Sequence, residues 1–440
     1  MATPLDPHAA IATEAGGVAP AAPRGGGPGV LTTADGVPLA VALSRSRRRA
    51  RRQALLLVLP LLLFVLVTFI VPIGQMLHRS VYNPGFAGNM PQVSAWFAAN
   101  PQGADPDEAA FAALAADLTA AAEARTIGIV GTRMNYDVPG TRSLFTATGR
   151  KVRDGLEPPF RKALLDIDGD WASPELWAAM RNASRTYTSG FYLAALDRAR
   201  DNDGNVVRAP EERRVYVMLF LRTFGLSALI TALTFVLGFP VAHLLATLPL
   251  RKSNLLMILV LLPFWTSLLV RTSAWIVLLQ QQGVINDLLV WLGVVADGAR
   301  LPMIYNQTGT IIAMTHVLLP FMILPLYSVM RTINPSYVRA ARSLGATSWT
   351  AFRRIYFPQT LPGLGAGALL VFILAVGYYI TPALVGGSSG QLISNMIAMH
   401  MTETLNWSMA AALASLLLGG VLILYWVYDQ LVGIDKLKLG

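Results

Sequence analysis

Six long apolar runs, each bordered by short polar segments, set the pattern of this chain. Ala54 to Leu77 is the first; Val215 to Leu248, Asn254 to Leu279, Thr310 to Met330, Leu364 to Leu384 and Met409 to Val427 follow. At about 1.5 Å of rise per residue, roughly 20 helical residues cross a hydrocarbon core about 30 Å thick, so each run predicts a membrane-spanning helix. The borders differ in charge. Arg45, Arg47, Arg48, Arg49, Arg51 and Arg52 precede the first run, Arg251 and Lys252 follow the second, Arg331 opens an arginine-rich segment after the fourth, and Lys436 and Lys438 follow the sixth. The short segments on the opposite side hold Asp287, Asp297 and Glu403, with Arg300 as their one base. Because cytoplasmic loops carry the excess of Lys and Arg, both termini are expected in the cytoplasm. The expected fold class is an all-α integral membrane protein with six transmembrane helices.

One stretch breaks the pattern. His78 to Glu212 spans 135 residues with 17 acidic and 14 basic side chains and no spanning run, which predicts a soluble insert of domain size on the outer face. Its first part, through Ala124, is rich in alanine and helix-prone. The later stretches Gly140 to Gly155 and Asp201 to Val207 have the turn chemistry of short strands or loops. Asp166 to Asp170 and Asp201 to Gly204 each offer fragments of a calcium loop without its full ligand spacing, and read as acidic turns. Residues Met1 to Leu43 are rich in Ala, Gly and Pro without periodicity, as in a disordered tail. The expected organisation is a basic cytoplasmic tail (1–53), a first span (54–77), the insert (78–212), a membrane core (213–432) and a short cytoplasmic tail (433–440).

The polar segment Asn334 to Gly363 carries the most local information. Asn334 suits a helix N-cap and Pro335 the first helical position, where its missing N–H has no partner to lose. Tyr337, Ala340, Ala341 and Leu344 then fall on one helical stripe with small residues at its centre, and Gly345 supplies a left-handed stop. Ser348 is placed to cap a second short helix bearing Trp349, Phe352 and Ile355 on one side, with Arg353 and Arg354 beside them and Pro358 ending it. These residues resemble a known loop. Arg339-Ala340-Ala341, Gly345 four positions on, and Ile355 with Phe357-Pro358 are similar in spacing to the "Glu-Ala-Ala, three residues, Gly, nine residues, Ile-x-Leu-Pro" loop of permease subunits of binding-protein-dependent ABC importers. Arg339 stands where that family has Glu, and Phe357 where it has Leu.

The resemblance implies a type I ABC importer permease fold in the bacterial inner membrane. It also implies that the loop at 332–362 docks into a dimer of cytoplasmic ATPase subunits through Arg339, Ala340, Ala341, Gly345, Phe352, Ile355 and Pro358. Further implied partners are a second permease subunit, identical or different, and a periplasmic solute-binding protein.

Composition agrees with a bilayer-embedded chain: 54% of the 440 residues are hydrophobic, 14% are charged, and the mean hydropathy is +0.50. There is no cysteine, which excludes disulfides and thiolate chemistry. The formal charge of +10 collects beside apolar runs as orientation signals do, and does not indicate nucleic-acid binding. No Walker A string occurs, since Gly386-Gly387-Ser388-Ser389-Gly390 lacks the lysine, so any ATP hydrolysis belongs to a partner and the chain reads as non-catalytic, without a cofactor. His243 and His316 lack partners at metal-site spacing. The alternative reading is an ATP-independent secondary transporter or channel; the spans hold no Asp or Glu, which disfavours a secondary transporter, because proton-coupled carriers relay through intramembrane carboxylates. Arg222 lies near the outer end of the second span and is placed to snorkel to the surface; Arg271 lies deeper, between Trp265 and Trp275.

A second likeness narrows the cargo. The segments from Pro263 to Leu279, His316 to Met330 and Leu370 to Gly387 are similar to stretches of spermidine/putrescine-type permeases, over about Arg214 to Val432. This implies a polyamine or related amine, with opines and other small amine solutes as alternatives. Trp265, Arg271, Trp275, Tyr378 and Tyr379 are the candidate pathway residues, the aromatic rings offering cation–π faces.

Overall fold

The computed structural model describes residues 39–152, 155–201 and 203–432; residues 1–38 of the expected N-terminal tail and the expected C-terminal tail with Lys436 and Lys438 lie outside them. The chain divides into two compact units at Pro72 and Ile73. In the first unit a helix already runs from Leu39 to Val65, so residues 39–53 are helical where a disordered tail was expected. Ala, Leu and Arg dominate there, and all three are strong helix formers. Arg47–Arg79 forms one candidate span of 33 residues.

Prolines do not end helices where the sequence suggests. At Leu66–Ile70 and again at Phe352–Tyr356 the backbone makes a π-turn: Val71 N–H bonds to the Leu66 carbonyl and Phe357 N–H to the Phe352 carbonyl, and each donor is followed at once by a proline. A proline lacks an N–H, and its ring crowds the carbonyl four residues back; a wider turn just before it opens that space and keeps the helix axis continuous. Pro358 therefore starts a regular helical stretch, Phe357–Gly377, and the second short helix flows into the fifth span. That span ends at Gly377, before the expected Leu384. Tyr378 and Tyr379 break it, and Ile380–Val385 forms a separate turn of helix.

In the second unit, the helices Tyr216–Thr247, Gln307–Thr332 and Phe357–Gly377 pack on one another around Ile230, Met314, Leu318, Met322, Leu326 and Val371. Close approach is permitted by glycines. A Cβ on Gly363 would stand 2.9 Å from the Pro325 carbonyl oxygen and from Val329 Cβ, and one on Gly367 would stand 2.9 Å from Met322 Sδ. Small residues let helix backbones meet where lipid supplies no hydrophobic drive. The third expected span is not one straight helix. Leu250–Trp265 and Leu268–Trp291 meet at a 96° bend, because Thr266 and Ser267 take extended backbone just after Pro263. Among the described residues, five helices are long and apolar enough to cross a membrane, or six if the bent pair is one span.

The insert region is helical with its own core. Pro91–Ala99, Glu108–Glu123, Ile127–Asn135, Thr141–Lys151, Phe160–Ile167 and Pro174–Ala183 enclose Phe86, Met90, Phe111, Phe145, Trp171 and Trp177. Thr141–Lys151 is a helix where strands or loops were expected: Leu144, Phe145 and Thr148 fall on one face, and burial of that face outweighs the turn-forming Gly and Thr content. Trp171 Nε1 donates to Thr148 Oγ1 at 3.1 Å within this core. Asp117 accepts from the backbone N–H of Val93 at 2.8 Å and of Gln92 at 3.2 Å, capping the Pro91–Ala99 helix from a neighbouring one. Its burial raises the carboxyl pKa, against the lowering effect of those two bonds.

Both acidic stretches sit in turns. Asp168 caps the short helix Gly169–Ala172. Asp201 accepts from Asn205 N–H at the end of an antiparallel hairpin, Arg198–Arg200 with Val206–Arg208. Asp197 ties this hairpin to the membrane core by accepting from Tyr216 N–H at 3.1 Å and Val217 N–H at 2.9 Å, which caps the Tyr216–Thr247 helix.

Candidate functional site

Two places gather the residues singled out above. The first is the elbow between Ser336–Ser343 and the helix that begins at Ser348. The helix starts at Ser336 with Pro335, not the expected Asn334, at its N-cap position; Asn334 Oδ1 accepts from Ser336 N–H at 2.9 Å from one residue further out. The first helix closes in a Schellman motif: Gly345 N–H bonds to the Arg342 carbonyl at 3.0 Å and Ala346 N–H to the Ala341 carbonyl at 3.1 Å, with Gly345 at φ +87°. Thr347, one residue before the expected Ser348, caps the second helix through Thr350 N–H.

The elbow presents large apolar side chains to the outside. Leu344 is 89% exposed, Trp349 68% and Tyr337 54%, with Ala340 exposed and Ala341 half-buried between them. Arg339, Arg342, Arg353 and Arg354 are all exposed or half-buried around this patch, and no acidic residue occurs between Arg331 and Gly363. Contiguous apolar surface rimmed by one sign of charge marks an interaction face. Phe352 packs inward against the helix core, and Ile355 is half-buried. The Phe352 ring stacks on Trp349 at 5.7 Å and on Tyr356 at 5.9 Å and meets Phe239 edge-on at 6.0 Å. Tyr356 in turn bonds His243 Nδ1 at 3.0 Å, and Arg331 donates to the Ala246 carbonyl at 2.8 Å. The exposed patch is thereby tied by stacked rings and two hydrogen bonds to the C-terminal end of the Tyr216–Thr247 helix. His243 and Tyr356 are 113 positions apart, so no local sequence signal announces their contact.

The second place is a cluster around Arg271 in the bent pair. Its guanidinium Nε and Nη1 are buried without a hydrogen-bond partner. His316 and Tyr378 lie within electrostatic reach of it. Trp275 Nε1 donates to His316 Nδ1 at 3.1 Å, the rings meeting edge-on at 5.3 Å. The structure thus brings together Arg271, Trp275 and Tyr378 and adds His316 from the Gln307–Thr332 helix. Trp265, 71% exposed at the end of its helix, and Tyr379, also exposed, stand at the surface. Arg222 donates to the Ser388 carbonyl at 3.2 Å, so a backbone acceptor in the Gly387–Gly390 turn meets this charge. Unsatisfied buried donors require water or a ligand. The Arg271 cluster therefore suits a wetted path between helices.

Residues 235–432 match the family described as binding-protein-dependent transport system inner membrane component. The chain is 34% identical over 221 residues to the spermidine/putrescine transport system permease protein PotB of Escherichia coli (strain K12), an alignment covering 50% of this chain and 80% of that protein. It is 32% identical over 214 residues to the protein of the same description from Haemophilus influenzae, covering 49% of this chain and 74% of that one. A solved bacterial ABC transporter involved in the import of the acidic polysaccharide alginate aligns over 51% of this chain and 80% of its own, at 16% identity and a TM-score of 0.43.

Proposed function

Because the chain belongs to the inner membrane components of binding-protein-dependent transport systems, we propose that it is the permease subunit forming a translocation pathway for spermidine, putrescine or a related polyamine. The observation that carries the energetic half of this reading is the elbow: an apolar, arginine-rimmed face, held at a fixed angle by Gly345 and stacked onto a spanning helix. A dimer of ATPase subunits receives it, with Arg339, Ala340, Ala341 and Gly345 at the contact and Phe352, Ile355 and Pro358 behind it. Closure of the ATPases pushes the elbow, and Phe352 and Tyr356 pass the displacement to the Tyr216–Thr247 helix. The chain itself hydrolyses nothing. A second permease subunit completes the pathway, and a solute-binding protein delivers cargo at the opposite face, where the insert at 78–212 lies. Both termini are cytoplasmic.

Arg271, Trp275 and Tyr378 line the path, and Trp265 and Tyr379 its openings. A guanidinium on the wall repels a polycation and keeps its residence short, while the aromatic rings attract it weakly. Selection among amines therefore rests on the binding protein. Proteoliposomes holding the permease pair, the ATPase and the binding protein test the proposal. ATP-dependent uptake of labelled spermidine or putrescine is expected; uptake that persists without ATP would support an independent carrier, and ATP-driven uptake of another solute alone would overturn the cargo. Reporters fused after Arg150 and Arg342 should read outside and inside respectively, and the reverse at either position refutes the orientation.

A further inference from the structure

A cleft of about 860 Å³ opens where the insert meets the first turns of the Tyr216–Thr247 and Trp407–Val432 helices. Its lining is strongly one-signed. Seven arginines face it against Asp137, Glu175 and Glu212, although the segment 197–214 holds equal numbers of acids and bases. The charges are sorted: Arg198, Arg200, Arg208, Arg213 and Arg214 line the cleft, whereas Asp201, Asp203 and Glu211 from the same segment do not.

The hairpin makes the arrangement costly. Arg198 and Arg208 are direct partners in the antiparallel register, so two like charges stand opposite each other on one face. Among the described residues, neither guanidinium has a side-chain hydrogen bond or an ion pair, while Arg133, Arg200, Arg213 and Arg214 in the same cleft are partly engaged by protein acceptors. An uncompensated like-charge pair aimed into a cavity is stabilised by an anion bound between the two. Polyamine cargo cannot be that ligand, since it carries the same sign.

The floor of the cleft indicates where the anion comes from. Val215, Tyr216, Asn406 and Met409 line it, and they stand at the starts of two candidate spans, where a spanning helix emerges from the hydrocarbon core. Below it the Tyr216–Thr247 helix exposes Val217, Met218 and Leu221, the last 70% exposed, along its flank. Basic groups above and bare apolar helix below match the two halves of a lipid.

We propose that this cleft is a binding site for a phosphate-bearing anion, with Arg198 and Arg208 as its paired ligands, and that an anionic phospholipid headgroup fills it while the acyl chains lie along Val217 to Leu221. The bound headgroup holds the hairpin, and through Asp197 the start of the Tyr216–Thr247 helix, in place.

Native mass spectrometry of the purified full chain in detergent, titrated with phosphatidylglycerol or phosphatidylcholine, tests the proposal. Wild type is expected to retain phosphatidylglycerol in preference. An Arg198→Gln/Arg208→Gln double variant is expected to lose that preference by about 30-fold, from the loss of two surface-apposed arginines. Arg198→Lys/Arg208→Lys should keep most of it. Both residues are exposed, and circular dichroism of each variant verifies that the helices are intact. Addition of inorganic phosphate separates the sources. Phosphate that stabilises wild type, but not the Gln variant, as well as the lipid does assigns the site to a free anion; no such effect together with retained preference for phosphatidylglycerol assigns it to the headgroup. Equal retention of both lipids by wild type together with no phosphate effect, or an undiminished preference in a folded Gln variant, overturns the site.

Discussion

Replacing Gly345 with valine isolates the backbone contribution of the elbow. At φ +87° a residue with a β-carbon pays for the left-handed conformation, and a Cβ built at Gly345 meets nothing within 4 Å, so the cost is conformational without a steric part. That cost is about 1–2 kcal/mol. The Ser336–Ser343 helix has no buried residue, and therefore little packing to hold the native turn against this strain. The two Schellman bonds, Gly345 to Arg342 and Ala346 to Ala341, are given up or the strain is carried into docking. Either way, ATPase affinity falls by a factor of about 5–30, the population equivalent of 1–2 kcal/mol. The elbow lies outside the packed helices, so membrane abundance should stay at the wild-type level. Titrated co-purification of the ATPase, together with ATP-driven uptake, reads the effect. Gly345→Asn, which tolerates the left-handed region, should lose much less. Normal docking and transport by Gly345→Val at wild-type abundance would refute the elbow as the coupling element, and equal loss in Asn and Val would refute φ as the cause.

Three further outcomes follow from the same contacts. Arg339→Glu should slow association with the native ATPase at low salt and flatten its salt dependence, because the elbow's rim carries only arginine; unchanged association rates refute an acidic partner face. Gly367→Val should destabilise the packing of Phe357–Gly377 on Gln307–Thr332 by about 1–3 kcal/mol, since its Cβ alone would lie 2.9 Å from Met322 Sδ; a thermal unfolding temperature in detergent equal to wild type contradicts this. His400 bonds Tyr216 Oη at 2.9 Å and Thr404 Oγ1 at 3.0 Å, and burial lowers its pKa below the ordinary 6.5. The unfolded state then binds the proton more tightly, so this contribution is complete above about pH 6.5 and is lost as pH falls. Thermal stability measured from pH 7.5 to 5.5 should show that loss, and His400→Gln should flatten the slope.

Much of this protein is legible from residues alone, and the reason is local. Apolar runs of sufficient length predict spans whatever they pack against, and a segment such as Asn334 to Gly345 encodes its cap, stripe and stop within one and a half turns on either side. Gly345 at positive φ and the hydrogen bond from Ser336 N–H to Asn334 follow from intrinsic backbone preferences that tertiary structure need only leave undisturbed.

What the chain could not announce depends on groups far apart in sequence. A proline reads locally as a stop, yet Pro358 lies within a continuous helix because a π-turn absorbs it, and helix packing on both sides rewards continuity. The third apolar run reads as one span by length, but the bend at Thr266 and Ser267 breaks it and leaves Arg271 within electrostatic reach of His316 and Tyr378 from other helices. Trp265 and Tyr379, equally apt by composition, were left at the surface. Thr141–Lys151 became a helix because Phe145 and Thr148 find Trp171 across the insert core. Local propensity fixes where helices form and how short turns close; which side chains share a site is decided only when packing free energy, summed over distant segments, selects one set of neighbours.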